Sequence, residues 1–302
     1  MIHKFYGNGK LLITGEYAVL DGANALALPT KFGQDLVIEN GSNHEILWKS
    51  YDSDGSIWFE DTLAFSSISK KKRTDSSVKN TLIDILHEAY LLHPEFLTSS
   101  DGYTITTNLT FPKKWGLGTS STLINNIAQW LEIDAFMLLK NSFGGSGYDI
   151  ACAQNNSPII YHLENGSPFI EQVTFNPKFH SKLYFVYLNQ KQNSKEAIAS
   201  YRKKNFNAEL LISEINNLTE SILKSSGLAQ FRSLLEKHEV LMSGILGLKP
   251  VKEDLFPDFN GTIKSLGAWG GDFVMAVSDE NPVAYFKSKG FETVIPYESM
   301  IL

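Results

Sequence analysis

Short apolar runs bounded by turn residues fill the first half of the chain, and each of them predicts a β-strand. The runs with strand-like length and composition are Leu11–Thr14, Asp35–Ile38, Glu45–Trp48, Ser56–Phe59 and Tyr103–Asn108. A further strand is predicted at Pro158–His162. Strand signals of this density indicate that a sheet dominates the first half of the protein.

Helical spacing of apolar residues interrupts these strands. Val78–Leu92 predicts a helix, because its apolar positions recur every three or four residues. A second helix is predicted to begin just after Gly118, with Leu123, Ile127 and Leu131 on one face. The glycine-rich segment Phe143–Gly147 is predicted to be a loop that leads into another helix start at Tyr148–Ala153.

The pattern changes at about residue 175. There the strand Leu183–Leu188 is followed by long helical stretches, predicted at 194–224 and Leu228–Leu246. The remaining signals are strands or helices at Thr262–Leu266, Phe273–Val277 and Glu292–Ile295, and a helix at Pro282–Ser288. Mixed strands and helices in both halves predict an α+β fold. Because the chain has 302 residues, against about 150 for an average domain, we expect two lobes that meet near residues 165–180.

Composition and charge narrow the possible partners. Hydrophobic residues make up 43% of the chain and charged residues 20%, as in globular proteins, and the net charge is −6. A mildly acidic chain disfavours nucleic acid as the main partner. The basic run Lys70–Arg73 is interpreted as part of a solvated loop, because serines surround it: Ser66, Ser67, Ser69, Ser76 and Ser77.

Cysteine content and hydropathy bear on the compartment. Cys152 is the one cysteine, so neither an intramolecular disulfide nor a multi-cysteine metal site is possible, and a reducing compartment is favoured. No apolar stretch approaches the ~20 residues that span a bilayer, and the first residues do not resemble a secretion signal. We therefore expect a cytoplasmic protein without membrane contact. Monomer and homodimer both remain open.

The segment Pro112–Ser121 combines glycines with hydroxyl residues between a strand and a helix. Glycines let the backbone approach a ligand closely, and the first N–H groups of a helix can bind an anion. The segment lacks the Gly-Lys-Ser/Thr ending of a P-loop, and Ser121 replaces the third glycine of a dinucleotide fingerprint. It predicts a phosphate-binding loop, with an ordinary glycine-rich turn as the alternative.

Two more segments suggest chemistry more weakly. In Gly9–Leu20, Lys10 could neutralise phosphate charge, although an exposed lysine on an edge strand and a surface Glu16 are the simpler interpretations. The segment Gly267–Asp272 is interpreted, by itself, as a tight turn or bulge.

Taken in order, these three segments resemble the motifs of the GHMP kinases, the superfamily of galactokinase, homoserine kinase, mevalonate kinase and phosphomevalonate kinase. Lys10–Leu20 resembles the N-terminal motif, Pro112–Ser121 the ATP-phosphate loop and Gly267–Asp272 the C-terminal glycine motif. The first and third are most similar to those of mevalonate and phosphomevalonate kinases. The resemblance implies an N-terminal ribosomal-protein-S5-like lobe at 1–170 and a ferredoxin-like α/β sandwich lobe at 171–302.

The resemblance also implies roles for particular residues. Asp149, in Ser146-Gly147-Tyr148-Asp149, resembles the catalytic aspartate, and Lys10 would lie close to it and keep it ionised. ATP would contact Pro112, Gly116, Leu117, Gly118, Thr119, Ser120 and Ser121, with Ser120 or Ser121 reaching Mg²⁺. Substrate contacts would come from Glu16, Tyr17, Ser146, Gly147, Gly270, Gly271 and Asp272. The implied activity is ATP-dependent phosphorylation of mevalonate or phosphomevalonate in isoprenoid precursor synthesis.

The sequence also departs from the family pattern. Between the phosphate loop and Asp149 the chain is short, and 136–140 has no carboxylate. Only Glu132 and Asp134 lie upstream, so the usual Mg²⁺ glutamate of the family cannot be assigned. Trp269 replaces a common glycine, so it either narrows the acceptor pocket or simply packs. The residues Lys191, Ser194 and Lys195 could face an acidic substrate or lie in a solvated loop. A kinase for a sugar or an amino-acid alcohol, and a non-catalytic nucleotide-binding protein, remain alternatives.

Overall fold

The computed structural model describes residues 2–74, 77–191 and 194–302. Its strands are β1 Ile2–Leu12, β2 Ala25–Asn40, β3 Glu45–Tyr51, β4 Ile57–Ala64, β5 Tyr103–Leu109, β6 Ile159–Glu164, β7 Ser167–Gln172, β8 Leu183–Tyr187, β9 Thr262–Ser265, β10 Phe273–Val277 and β11 Val294–Pro296. Its helices are α1 Phe65–Ser69, α2 Ser77–Leu92, α3 Glu95–Thr98, α4 Thr119–Leu131, α5 Ala135–Ser142, α6 Tyr148–Gln154, α7 Ser194–Tyr201, α8 Ala208–Leu223, α9 Leu228–Leu246, α10 Val251–Leu255, α11 Val283–Ser288 and α12 Tyr297–Met300.

The chain forms two compact units, and neither is continuous in sequence. Unit 1 comprises Met1–Gly9, Phe32–Lys113 and Leu117–Gln154, and unit 2 comprises Lys10–Lys31, Lys114–Gly116 and Asn155–Leu302. The glycine-rich segment Pro112–Ser121 therefore begins in unit 1, contributes Lys114–Gly116 to unit 2, and ends in unit 1.

Unit 1 is a sheet covered by helices. Its strands follow the order β4-β3-β5-β2, in which β3 and β5 are parallel and the other neighbours antiparallel. Alternate strand residues such as Leu36, Trp48 and Ile105 are buried in one apolar cluster with residues of α2, α4 and α5. This alternation is the two-residue period of a sheet with one covered face. The cluster also contains Ile150 of α6, so it fixes α4 and α6, the helices that carry Ser121 and Asp149.

Unit 2 contains a second sheet of order β11-β8-β10-β9, antiparallel throughout. Every residue of β10 is buried, as expected for an inner strand covered on both faces. Residues 25–27 of β2 also pair with β6, which pairs with β7. A further apolar cluster in this unit joins residues of the N-terminal motif, α8 and α9, including Tyr17, Ile215 and Met242.

The α+β fold class is confirmed, and strongly periodic elements lie where the sequence predicts them. Helix α9 and strand β10 match their predicted bounds, and α2 begins one residue earlier than predicted. The predicted helix at 194–224 is instead two helices, because Asn207 caps a new one by accepting a hydrogen bond from the Leu210 N–H at 3.1 Å.

Other predictions need correction. Strand β1 is much longer than Leu11–Thr14, and β7 has no counterpart among the predictions. Ser66, Ser67 and Ser69 lie in helix α1 rather than in a loop, while Ser77 opens α2 and Ser76 lies outside the described residues. Among the described residues, no helix is both long and apolar enough to cross a membrane.

Candidate active site

In unit 1, the end of the glycine-rich loop meets the first turn of α6. Gly118 precedes α4 in a left-handed conformation, φ 104°, which glycine adopts without strain. The Ser121 hydroxyl, in the first turn of α4, donates to Asp149 Oδ2 at 3.3 Å. Thr122 Oγ1 anchors the same turn by donating to Gln34 Oε1 at 2.7 Å. The first turn of α4 is thus held beside a carboxylate.

Asp149 lies in the first turn of α6 and is half-buried. Gly147 precedes it with φ 96° and accepts a hydrogen bond from the Ala151 N–H at 3.1 Å. Unit 1 therefore brings Ser121 and Asp149 into contact, and Ser146 and Gly147 lie in the loop just before α6. The contacts of Ser146 and Gly147 with a substrate stay a prediction.

In unit 2, three residues from the three motifs are neighbours. The Lys10 ammonium donates to the carbonyl oxygen of Gly116 at 3.2 Å. Gly116 has φ 68°, and an ideal Cβ there would lie 2.2 Å from the carboxyl carbon of Asp272. Only glycine fits this position without moving Asp272. The close approach explains why position 116 is a glycine.

The middle of the loop is fixed in unit 2 by aromatic side chains. Tyr187 donates its hydroxyl to the Lys114 carbonyl at 3.0 Å, and Trp115 meets Phe273 edge to face at 5.5 Å between ring centroids. Such contacts restrict Lys114–Gly116 to one conformation.

Glu16 does not lie on the surface but in a closed network of unit 2. Its side chain is 1% exposed and pairs with Lys264, which is 0% exposed. Lys264 also lies 3.5 Å from Glu239, whose carboxylate accepts hydrogen bonds from the backbone N–H and hydroxyl of Ser265. Glu16 Oε2 is 3.3 Å from His238 Nε2, which accepts from the Gly15 N–H.

Burial sets the proton affinities in this network. Desolvation raises the pKa of Glu16 to about 7, against the opposing charge of Lys264. Desolvation and the charge of Lys264 hold the pKa of His238 well below its ordinary value, so His238 is neutral.

Tyr17 follows Glu16 in a tight turn. Its φ of 58° and ψ of −47° form a γ-turn that the Ala18 N–H closes by donating to the Glu16 carbonyl at 2.6 Å. The Tyr17 hydroxyl accepts from the Trp269 N–H at 2.9 Å, and its ring stacks on Tyr201 at 5.4 Å. Burial raises the pKa of this hydroxyl. A rare conformation of this kind persists only where several contacts hold it.

Trp269 packs in the same unit. Its side chain is 7% exposed, belongs to the apolar cluster around Tyr17, and donates its indole N–H to the Lys249 carbonyl at 3.1 Å. These contacts support packing as its role. The Gly270 carbonyl accepts from the Gln190 side chain, and the Asp272 N–H donates to the Gln190 carbonyl at 2.8 Å, which fixes the third motif. The substrate contacts predicted for Glu16, Tyr17, Gly270, Gly271 and Asp272 stay predictions.

The two acidic residues between the phosphate loop and Asp149, Glu132 and Asp134, lie at helix ends. Asp134 caps α5 by accepting from the N–H groups of Phe136 and Met137, and Glu132 ends α4 with φ 54°. Among residues 2–74, 77–191 and 194–302, no three His, Cys, Asp or Glu side chains are grouped to hold a metal ion. Lys191 is exposed, and the side chains of Ser194 and Lys195 lie outside the described part of the chain.

The sequence reasoning missed Lys264, Glu239 and His238. A lysine in the middle of the predicted element Thr262–Leu266 is the signal that could have revealed the network, because lysine is almost never fully buried unless it is paired.

This chain is similar to known proteins in structure but not in sequence. No protein-family model matches the sequence, and no curated protein sequence is significantly similar to it. Among solved structures, the mevalonate kinase of Methanococcus jannaschii matches with a TM-score of 0.68 and 18% identity, over 97% of this chain and 96% of that one.

Two further structures match over similar lengths. The phosphomevalonate kinase of Streptococcus pneumoniae, in complex with phosphomevalonate and AMPPNP, has a TM-score of 0.69 and 18% identity over 95% of both chains. The galactokinase of Lactococcus lactis, complexed with galactose, has a TM-score of 0.66 and 12% identity over 95% of this chain and 88% of that one. Matches over nearly the whole chain to kinases of different acceptors show that this protein has the fold of the GHMP kinases.

Proposed function

We propose that this protein transfers the γ-phosphoryl group of ATP to a small anionic metabolite, either mevalonate or phosphomevalonate. The observation that carries the proposal is the contact between Ser121 Oγ and Asp149 Oδ2. It joins a helix start suited to phosphate with a solvent-accessible carboxylate suited to an acceptor hydroxyl. Phosphoryl transfer needs these two elements side by side.

ATP would bind along the loop through its phosphates. The first N–H groups of α4 have no partner within the helix and lie at its positive end, so they suit phosphate oxygens. Gly116 and Gly118 keep this backbone open, and Thr119, Ser120 and Ser121 add hydroxyl groups. Lys10, through its contact with the Gly116 carbonyl, supplies a positive charge next to the same loop.

Asp149 would orient the acceptor and receive its proton as the γ-phosphoryl group is attacked in line. With phosphomevalonate the attacking atom is an ionised phosphate oxygen. Asp149 then orients that group and has no proton to remove.

Mg²⁺ is the expected companion of ATP, and the donor set fits it. Mg²⁺ is held by one or two protein oxygens together with substrate phosphates and water. Ser120 and Ser121 would provide hydroxyl oxygens, and Asp149 is the carboxylate in contact with Ser121. When bound, the ion would neutralise phosphate charge.

An anionic acceptor is favoured by the likeness of the first and third motifs to those of mevalonate and phosphomevalonate kinases. The galactokinase match keeps a sugar acceptor open, because one fold serves many substrates. The single, buried Cys152 fits a reducing compartment, which we propose to be the cytoplasm.

The test is Mg²⁺-dependent ADP release from ATP with mevalonate, phosphomevalonate, homoserine and galactose as acceptors. We expect turnover with one of the first two. With mevalonate, Asp149→Asn should lose about a thousandfold in turnover, because asparagine cannot accept the proton of the acceptor hydroxyl. Asp134→Asn is the matched control, because Asp134 caps a helix in the same unit and should retain full turnover.

Each other result points elsewhere. Turnover with galactose or homoserine alone would support the proposed kinase activity but contradict the proposed acceptor. ATP binding without turnover on any acceptor would favour a non-catalytic nucleotide-binding protein. Undiminished turnover in Asp149→Asn would remove Asp149 from the reaction.

A further inference from the structure

Helix α4 in unit 1 buries polar side chains on one of its faces. Its apolar face, which includes Ile124 and Ile127, belongs to the apolar cluster of this unit. On the opposite face, Thr122, Asn125 and Asn126 follow the spacing i, i+3, i+4, and each is at most 1% exposed. A polar face opposite an apolar one is ordinarily solvated. Because this one is buried, its side chains need hydrogen-bond partners inside the protein.

Gln34 of β2, itself 1% exposed, supplies two of these partners. Its side-chain oxygen Oε1 accepts from the Thr122 hydroxyl at 2.7 Å, and its backbone carbonyl accepts from Asn126 Nδ2 at 2.9 Å. Asn125 Nδ2 donates to Asn126 Oδ1 at 3.4 Å. Strand β1 closes over these side chains at Gly7, where an ideal Cβ would lie 3.0 Å from Asn126 Oδ1. We call Gln34, Thr122, Asn125 and Asn126 the polar cluster.

The polar cluster contains two polar atoms without partners. Gln34 Nε2 and Asn125 Oδ1 are buried, and no described residue forms a hydrogen bond with either. Such groups lower stability, whereas apolar groups of the same shape in place of a hydrogen-bonded pair can be neutral or stabilising. Apolar side chains would therefore hold α4 on the sheet at least as firmly. A departure of this kind from the rules of stability is expected at functional sites.

The polar cluster lies directly behind the contact that carries the proposed function. Thr122 follows Ser121, whose hydroxyl donates to Asp149 Oδ2 at 3.3 Å. The Thr122 N–H also donates to the Gly118 carbonyl at 2.9 Å, within the first turn of α4. Hydrogen bonds are directional, so the bond from Thr122 to Gln34 fixes the rotation of this turn about the helix axis, which an apolar contact would fix less narrowly.

We propose that Thr122 and Gln34 are positioning residues for phosphoryl transfer, whose hydrogen bond keeps Ser121 turned toward Asp149. The inference rests on the proposed function, because Asp149 is the group that would orient the acceptor. Ser121 in turn fixes the orientation of the Asp149 carboxylate through Oδ2. Small displacements of a positioned group slow an enzyme strongly, by about a hundredfold for 1 Å.

The decisive pair of variants is Thr122→Val and Thr122→Ser. Valine has the shape of threonine without the hydroxyl, and serine keeps the hydroxyl. With the acceptor that the unaltered protein phosphorylates, we expect Thr122→Val to lower kcat about tenfold and Thr122→Ser to retain it. Added to Ser121→Ala, the substitution Thr122→Val should change kcat by less than about twofold, because the contact through which it acts is already lost.

Thermal unfolding separates positioning from support of the fold. Gln34→Met combined with Thr122→Val replaces the hydrogen-bonded pair by apolar groups of similar shape and removes the unpaired Nε2. We expect this double variant to unfold at a temperature no lower than the unaltered protein, yet to turn over about tenfold more slowly. Thr107→Val is the matched control. Thr107, on β5, is 0% exposed and donates its hydroxyl to Ser50 Oγ at 3.0 Å, so its replacement should leave kcat unchanged.

The outcomes distinguish the inference from the function on which it rests. Equal kcat in Thr122→Val and the unaltered protein would overturn the positioning role and leave the kinase activity supported. A loss of kcat that Thr107→Val shares, or that persists undiminished in Ser121→Ala, would assign Thr122 to the fold and overturn the inference. A double variant that loses stability together with turnover would do the same. If the unaltered protein phosphorylates none of the acceptors, the proposed function fails, and the positioning role fails with it.

Discussion

Two carboxylates of the proposed site lie in opposite surroundings. Asp149 in unit 1 is half-buried and contacts the hydroxyl of Ser121. Glu16 in unit 2 is 1% exposed and is enclosed by Lys264 and His238. The motif resemblance assigns both residues to the site, but of the two only Asp149 is partly exposed.

The difference in burial separates a carboxylate suited to react with a substrate from one suited to stabilise the fold. A carboxylate that takes a proton from an acceptor must be accessible to that acceptor, and of these two residues Asp149 is the partly exposed one. The Glu16 side chain is already engaged within unit 2, next to the γ-turn of Tyr17. We therefore expect Glu16 to act by fixing the backbone of the N-terminal motif, and changes in its network to affect stability before chemistry.

The largest effect is expected from Lys264→Met. The substitution leaves Glu16 and Glu239 buried without their cation, which should lower the free energy of unfolding by about 3–5 kcal/mol. Urea unfolding of the ligand-free protein measures this loss. Lys10→Met is the matched control. Because Lys10 is only half-buried, its replacement should lower the free energy of unfolding much less.

A second substitution sharpens this result. Adding Glu16→Gln to Lys264→Met removes one of the two uncompensated carboxylates and should restore part of the lost stability. Equal stability of Lys264→Met and Lys10→Met would mean that the buried network does not hold unit 2 together.

The pH dependence of stability gives the next largest effect. Burial raises the pKa of Glu16 from 4.5 to about 7, so between these values the folded protein holds a proton that the unfolded chain has released. The stabilisation from this proton is fully present below pH 4.5 and is lost as the pH rises through 7. We expect the stability of the unaltered protein, relative to Glu16→Gln, to fall between pH 5 and pH 8 in urea unfolding.

His238 has the opposite effect on the pH dependence of stability, so it serves as a check on the effect of Glu16. Its pKa is lowered in the folded protein, so its contribution is lost as the pH falls below 6.5. In His238→Gln, the free energy of unfolding should no longer fall as the pH drops below 6.5. Its dependence on pH above 6.5 should stay as in the unaltered protein. A pH-independent difference between the unaltered protein and Glu16→Gln would show that Glu16 stays ionised in its pair with Lys264.

The contrast between local and distant interactions also explains how far the sequence could be interpreted. Helix α9 and strand β10 were predictable because periodicity is a local property of the chain. Strand β7 was not, because it carries Pro168, is exposed at most positions and exists through its pairing with β6. Its partner, and not its composition, makes it a strand.

The candidate site divides in the same way. Lys10, Asp149 and the phosphate loop stand in short motifs, so the sequence indicated them. The pair of Glu16 and Lys264 joins residues 248 positions apart, and nothing near either residue specifies the other. Likewise, the sequence left the role of Asp134 unassigned, whereas the structure shows a helix cap.

The smallest effect comes from comparing the two aspartates that begin helices in unit 1. Asp134 stands just before α5 and accepts hydrogen bonds from the Phe136 N–H at 2.8 Å and the Met137 N–H at 3.2 Å. Asp149 stands inside α6, and its side chain contacts Ser121 of another helix. Loss of a cap costs about 1 kcal/mol, so Asp134→Ala should lower stability by that amount in urea unfolding and leave the KM for ATP and its Mg²⁺ dependence unchanged. A changed Mg²⁺ dependence would instead make Asp134 a metal ligand. Asp134 would then belong with the residues that bind the nucleotide and not with those that stabilise the fold.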